Sequence, residues 1–248
     1  MNRTLIIVPA FNEAENIKNA VNDILDQKKG YDILIINDCS VDNTSEITRK
    51  LESCTVVELP VNLGIGGAVQ TGFKYASENG YEYSVQFDGD GQHNAAEIEK
   101  IIVPVQNGET DVVIGSRFLK KEPNFRSTFA RRKGIFIFKI VNLILTGQKI
   151  TDNTSGFRAY NRRATEFLSH NYPEDYPEPE SVVLLGRNGF KIKEVSVNMK
   201  ERQNGSSSIY GLRIPYYMFK VLLSVIMTGM RRTICPQSKK EASNAAEY

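Results

Sequence analysis

Over the first 115 residues, short continuous apolar runs alternate with stretches of helical periodicity. The run at 5–9 is apolar at every position, as expected of a strand covered on both faces. A helix is predicted over about 15–27, a second strand over 33–36, a helix over about 45–51 and a third strand over 56–59. Strand, helix, strand, helix, strand within sixty residues implies right-handed βαβ units and a parallel sheet. A helix from the glycine-rich segment 62–68 to about 77, a strand at 83–87, a helix over about 95–106 and a strand at 111–114 extend it.

The pattern changes beyond 124. Only Lys139 and Asn142 interrupt the apolar surface of the helix predicted over 134–145, so that helix is buried or lies on lipid. It is too short to span a bilayer, and a core helix is the alternative to an interfacial one. Arg126, Arg131, Arg132 and Lys133 precede it, where an interfacial helix meets anionic headgroups and a lipid phosphate. After a strand predicted over 190–199, residues 209–234 are largely apolar and carry Arg213, Lys220, Arg231 and Arg232. Pro215 is expected to split this stretch, leaving 216–230 as a second interfacial helix or a docking site for a small membrane subunit. The polar tail from 236 is expected to be disordered.

Composition narrows the class. The apolar content of 41% supports a sizeable core and excludes a disordered chain. Net charge is only +2, yet it is strongly segregated. Residues 1–114 carry 8 basic and 18 acidic side chains, a balance of −10, whereas 115–163 carry 12 and 2, a balance of +10. Residues 183–234 are again basic, at +7, so the later blocks are expected to face something anionic. Cys39, Cys54 and Cys235 have no metal or redox spacing and read as reduced thiols of a cytosolic protein, and the N-terminus has no signal-peptide pattern.

Ligands of a parallel sheet bind beyond the carboxyl ends of its strands, and three polar clusters fall there: 9–13, Asp38 and 88–92. Asp88 and Asp90, one residue apart as a strand ends, leave on the same side. Gly89 and Gly91 remove bulk, so backbone and ligand can approach. Two hard oxygen ligands with the Gln92 amide beyond suit Mg²⁺ or Mn²⁺ shared with substrate phosphates. A plain Asp-Gly turn is the bland alternative. A calcium loop fits poorly, because His93 stands where that loop needs glycine and a strand, not a helix, precedes it. Arg117, where the 111–114 strand ends, is placed to clamp a phosphate through two N–H groups. The 62–68 turn matches neither the dinucleotide fingerprint nor the P-loop and reads as a tight packing turn. No Ser-His-Asp or Cys-His arrangement is evident; His93 touches the site or solvent, and His170 reads as surface.

In order, the motifs VPAFNE (8–13), NDCSVDNT (37–44), NLGIGGA (62–68), DGDGQH (88–93), GSR (115–117), DNTSGFR (152–158) and RQNGSS (202–207) resemble family 2 inverting glycosyltransferases of the GT-A fold. The branch is that of dolichyl-phosphate mannose synthases and bacterial polyprenyl-phosphate glycosyltransferases. The resemblance spans residues 5 to about 208. It implies an α/β GT-A catalytic domain over 1–208, a Rossmann-like, mostly parallel sheet flanked by helices. Interfacial amphipathic helices would follow over 209–234, and a disordered tail over 235–248. Pro9, Phe11, Glu13 and Asp38 would hold the nucleoside, with Asp88, Gly89 and Arg202 on the rest of the nucleotide. Asp88, Asp90 and Gln92 would hold Mg²⁺ or Mn²⁺ with the diphosphate. Arg117 would serve catalysis and, with Arg131 and Arg132, meet the acceptor phosphate. Asp152, as a base or an orienting group, and Glu180 are the candidate catalytic carboxylates; an N-cap or an ion pair with Arg158 for Asp152, and helix capping for Glu180, are the alternatives.

Lysine commonly follows GxS in the synthase branch, but Ser208 stands there, which favours a UDP-sugar donor over GDP-mannose. The expected reaction is sugar transfer from a nucleotide-sugar donor to a polyprenyl phosphate, at the inner face of the cell membrane, by a peripherally bound cytoplasmic protein. A small membrane subunit and self-association are further partner classes. A family 2 enzyme with a saccharide acceptor, and a silent membrane or nucleic-acid adaptor, are the competing classes. An adaptor has no need of Asp38, Asp88 and Asp90 at neighbouring strand ends, so no nucleic-acid partner is expected.

Overall fold

The fold is taken from a computed structural model, which describes residues 3–119, 129–200 and 213–234, with side chains of 129–137 and 213–218 left aside. The described residues form one seven-stranded sheet of order β3-β2-β1-β4-β6-β5-β7. Its strands are β1 (Thr4–Ala10), β2 (Asp32–Asn37), β3 (Thr55–Glu58), β4 (Tyr83–Gln86), β5 (Val112–Ser116), β6 (Arg158–Asn161) and β7 (Ile192–Ser196). β6 runs antiparallel to both β4 and β5, and every other pairing is parallel.

Side-chain alternation along the strands produces two cores. Ile6 and Val8 of β1 and Ile33 and Ile35 of β2 point to one face, under α1 (Ile17–Leu25) and α4 (Ile98–Gln106). Leu5, Ile7, Leu34 and Ile36 point to the other, under α3 (Gly64–Glu78) and α6 (Arg162–Asn171). The glycine-rich turn packs as expected: a methyl group on Gly66 would lie 2.6 Å from the Pro173 carbonyl oxygen.

A third cluster, Phe138, Val183, Val221 and Val225, joins α5 (Phe129–Thr146), α7 (Pro177–Arg187) and α8 (Arg213–Met230). Pro215 does not split the last segment: it is the third residue of α8, in a first turn whose N–H groups have no helical acceptor. Ile140, Leu143 and Ile144 of α5 and Phe219, Leu223, Met227 and Met230 of α8 remain exposed, so neither helix is buried on every face. No helix among the described residues is long and apolar enough to cross a membrane. The helix expected over 45–51 is the shorter α2 (Thr44–Thr48), and β6 and α6 were not predicted. β6 has only four residues, and α6 is too polar for its apolar period to stand out.

Candidate active site

Three loops at the carboxyl edge of the sheet meet in one crevice. β1 lies between β2 and β4, so the chain departs on one side of it and returns on the other, the point at which such sheets bind ligands. There Pro9, Phe11, Glu13, Asp38, Asp88, Gly89 and Asp90 line a cavity of about 370 Å³. The first two loops are tied into one wall. Asn12, in the left-handed region at φ 56, donates its N–H to Ser40 Oγ and accepts from the Val41 N–H. The Glu13 and Ala14 N–H groups donate to Thr44 Oγ1 and Asp42 Oδ2. Asp38 is buried, and its Oδ1 accepts from the Leu63 N–H at 2.7 Å, which aims the carboxylate between the glycine-rich turn and the cavity.

The Asp88 loop closes on itself. His93 Nδ1 accepts from the Asp88 N–H at 2.9 Å, the ring stacks on Phe157, and Nε2 lies 3.5 Å from Asp88 Oδ2. Burial pulls the imidazole down to about 4, against Asp90, so His93 is neutral at neutral pH and braces the loop rather than pairing as an ion. Burial, then repulsion from Asp90, pushes the Asp88 carboxyl up to about 7. Gln92 acts through its backbone: its N–H caps Asp90 Oδ1 and its carbonyl accepts from the Lys200 N–H.

Arg117 and Asp152 form a two-pronged pair. Arg117 Nε donates to Asp152 Oδ2 at 2.8 Å and Nη2 to Oδ1 at 2.7 Å, and the Arg117 N–H adds a third bond. Burial works against the guanidinium charge, but Asp152 outweighs it and raises the pKa. The Asp152 side chain is wholly buried, with both oxygens engaged, so the geometry fits an orienting group for Arg117 and not a base. The ion pair weighed for Asp152 thus goes to Arg117, not to Arg158.

Residues 5–168 match the family described as glycosyl transferase family 2. The chain belongs to that family. It is 30% identical over 246 residues to a UDP-N-acetylglucosamine–dolichyl-phosphate N-acetylglucosaminyltransferase of Methanococcus voltae, covering 90% of this chain and 97% of that protein. It is 31% identical over 230 residues to a polyprenol monophosphomannose synthase of Mycolicibacterium smegmatis, with 88% and 85% covered. Among solved structures it resembles glucosyl-3-phosphoglycerate synthase from Mycobacterium tuberculosis in complex with Mn²⁺, UDP and phosphoglyceric acid. That match has a TM-score of 0.66 at 17% identity, over 93% of this chain and 80% of that one. The fold is GT-A, and the chain is a glycosyltransferase.

In this family 2 enzyme Glu180 does not join the crevice. Its Oε2 accepts from Thr228 Oγ1 on α8 and its Oε1 from the Tyr176 N–H, so it ties α7 to α8 beside a separate cavity. The expected catalytic role is corrected to capping and helix docking. The acidic group turned toward Asp88 is Glu178. Burial raises its carboxyl, Arg158 opposes this, and Asp88 adds to it. Gln86 and Gly156 lie against the Asp88 carboxylate, and the charge of the nearby Arg158 acts on it; the sequence reading does not single them out. Gln86 shares the strand face of Asp88, a period-two cue the sequence held. Arg202 and the side chains of Arg131 and Arg132 lie outside the described residues.

Proposed function

We propose that the chain transfers a sugar from a nucleoside-diphosphate donor, a UDP-sugar in preference, to a polyprenyl phosphate at the inner membrane face. The carrying observation is that one cavity gathers Phe11, Glu13 and Asp38 with Asp88 and Asp90, side chains suited to a nucleoside at one end and a diphosphate at the other.

The donor set fits Mg²⁺ or Mn²⁺. Burial, and after it the charge of Asp90, holds a proton on Asp88 near neutrality, a conflict that a divalent cation relieves. Among the described residues no three metal-binding side chains gather, which fits a two-carboxylate grip completed by donor phosphates. Such a cation, when bound, supplies charge neutralisation for the departing diphosphate. Arg117, oriented by Asp152, faces the same developing charge, and Phe11 with Asp38 holds the nucleoside against β1 and β2. The acceptor phosphate attacks the anomeric carbon from the side opposite the diphosphate, inverting it. A phosphate is already ionised at neutral pH and needs no base. Asp152 and Glu180, both engaged elsewhere, support that acceptor over a saccharide hydroxyl. The exposed apolar faces of α5 and α8, with Arg231 and Arg232 beyond, supply the membrane contact.

A thermal-shift panel of UDP, GDP and their sugars with and without Mn²⁺ tests the donor site, and transfer to polyprenyl phosphate in vesicles tests the acceptor. Stabilisation by UDP only with Mn²⁺, and sugar on the lipid, is the expected result. Metal-independent transfer, or transfer to free saccharides alone, overturns the reading.

A further inference from the structure

The Asp88 carboxylate rests on bare backbone. A methyl group at Gly156 would stand 2.9 and 3.2 Å from its two oxygens and 3.0 Å from Gln86 Nε2. Among the described residues little else fixes that carboxylate: the Gln86 amide donates at 3.5 Å, and His93 Nε2 lies 3.5 Å away. Gly156 belongs to the segment 152–157, and Arg158, 0% exposed, holds that segment from behind. Its Nε donates to the Ser155 carbonyl at 2.7 Å and its Nη2 to the Asn153 carbonyl at 2.9 Å, both on the chain leading into Gly156. The same guanidinium reaches α7 through the Glu178 carbonyl and Ser181 Oγ. A buried charge bonded to carbonyls and a hydroxyl is costly, and the sequence keeps it where it fixes the backbone behind Asp88.

We propose that Gly156 is a positioning residue for the Asp88 carboxylate and that Arg158 locks it there, so that segment 152–157 sets how tightly the cation and diphosphate are gripped. This rests on the reading of Asp88 as a cation ligand. Any side chain at 156 drives the carboxylate forward by tenths of an ångström, and the short metal–oxygen bonds of Mg²⁺ and Mn²⁺ tolerate little displacement. The far end of the segment carries the Arg117–Asp152 pair and the Asn142–Asn153 bond from α5. The segment therefore joins the helical layer on the acceptor side to the grip on the donor.

The test is Mn²⁺ binding in the presence of UDP, read without turnover from the paramagnetic resonance signal of free Mn²⁺. Gly156→Ala is expected to weaken binding about tenfold or more while melting cooperatively, as loss of a supporting group around a metal does. Its KM for Mn²⁺ rises, and saturating Mn²⁺ restores most of kcat. Gly186→Ala, which presses on Thr146 at 2.6 Å in the α5–α7 contact, imposes a similar load away from the crevice and keeps wild-type affinity. Arg158→Lys keeps the charge without the planar fork and is expected to weaken binding as well; it carries the test should Gly156→Ala not fold. Wild-type affinity in Gly156→Ala, or an equal loss in Gly186→Ala, overturns the assignment. If the wild type takes up no Mn²⁺ with UDP, the cation reading of Asp88 fails, and this inference fails with it.

Discussion

Removing Arg117 should destabilise the protein more than removing the charge of its partner. The Asp152 side chain is 0% exposed, whereas that of Arg117 is 23% exposed and can turn to water. Arg117→Ala strands a buried carboxylate, a loss that typically costs about 3–5 kcal/mol. The Arg117 N–H and the Thr154 hydroxyl remain on that carboxylate, which places the variant at the lower end of the range. For a chain of this size, about 3 kcal/mol lowers Tm by on the order of 10 °C. Asp152→Asn keeps the shape and one acceptor and leaves a guanidinium that solvent can reach, so it should cost only about 1–2 kcal/mol. Both variants should lose turnover if Arg117 faces the diphosphate as proposed, because the guanidinium is absent from one and unanchored in the other. Chemical and thermal unfolding followed by circular dichroism, beside UDP release, gives both quantities. Asp152→Asn with wild-type Tm and no turnover would mean that the carboxylate takes a proton in the reaction. The ion-pair argument would then be wrong.

The metal-free Asp88 carboxyl, pushed up to about 7, makes Mn²⁺ compete with a proton. Affinity should fall by about tenfold per pH unit below that value, with proton release seen by calorimetry in two buffers; pH-independent affinity refutes a proton held on Asp88 by burial and by Asp90. His93, lowered from 6.5 to about 4, gives stability that is complete above 6.5 and lost as pH falls toward 4. Asp88, raised from 3.8, works in the opposite sense, its contribution present at low pH and lost as pH rises through about 7. The His93 share is therefore read as the difference in Tm slope between wild type and His93→Gln, and identical slopes refute it. Glu180→Gln should keep turnover and lose about 1–3 kcal/mol of stability, because the Thr228 bond is weakened at a buried site; loss of kcat without loss of stability would restore a catalytic role. Ile144→Glu with Met227→Glu, at positions 75% and 57% exposed, should abolish flotation with anionic vesicles and spare UDP binding. Unchanged flotation refutes the proposed membrane face.

The strand-end residues were legible because topology does the placing. Once the apolar runs imply a parallel sheet, whatever follows β1, β2 and β4 must share one edge, and Asp38, Asp88 and Asp90 follow them. Contacts that depend on which way a helix is turned were not legible. Glu178 and Glu180 stand two residues apart on α7, about 200° around the axis, so only one can face the crevice. The acidic pattern alone could not say which, and helix packing sends Glu180 to Thr228. Arg158 and Arg117 were equally available to Asp152 by sequence. β6 decides between them, because its antiparallel course carries Arg158 inward to the carbonyls at 153 and 155. Gly156 stands out in the sequence only as part of a motif, since a glycine that matters for what it lacks shows itself only when the neighbouring carboxylate is in view. These misses share a direction. Each carboxylate first assigned to proton transfer is taken up by structure, while each residue overlooked supports Asp88. That arrangement suits a site that holds charge rather than moves a proton, which is the demand the proposed acceptor, arriving already ionised, would set.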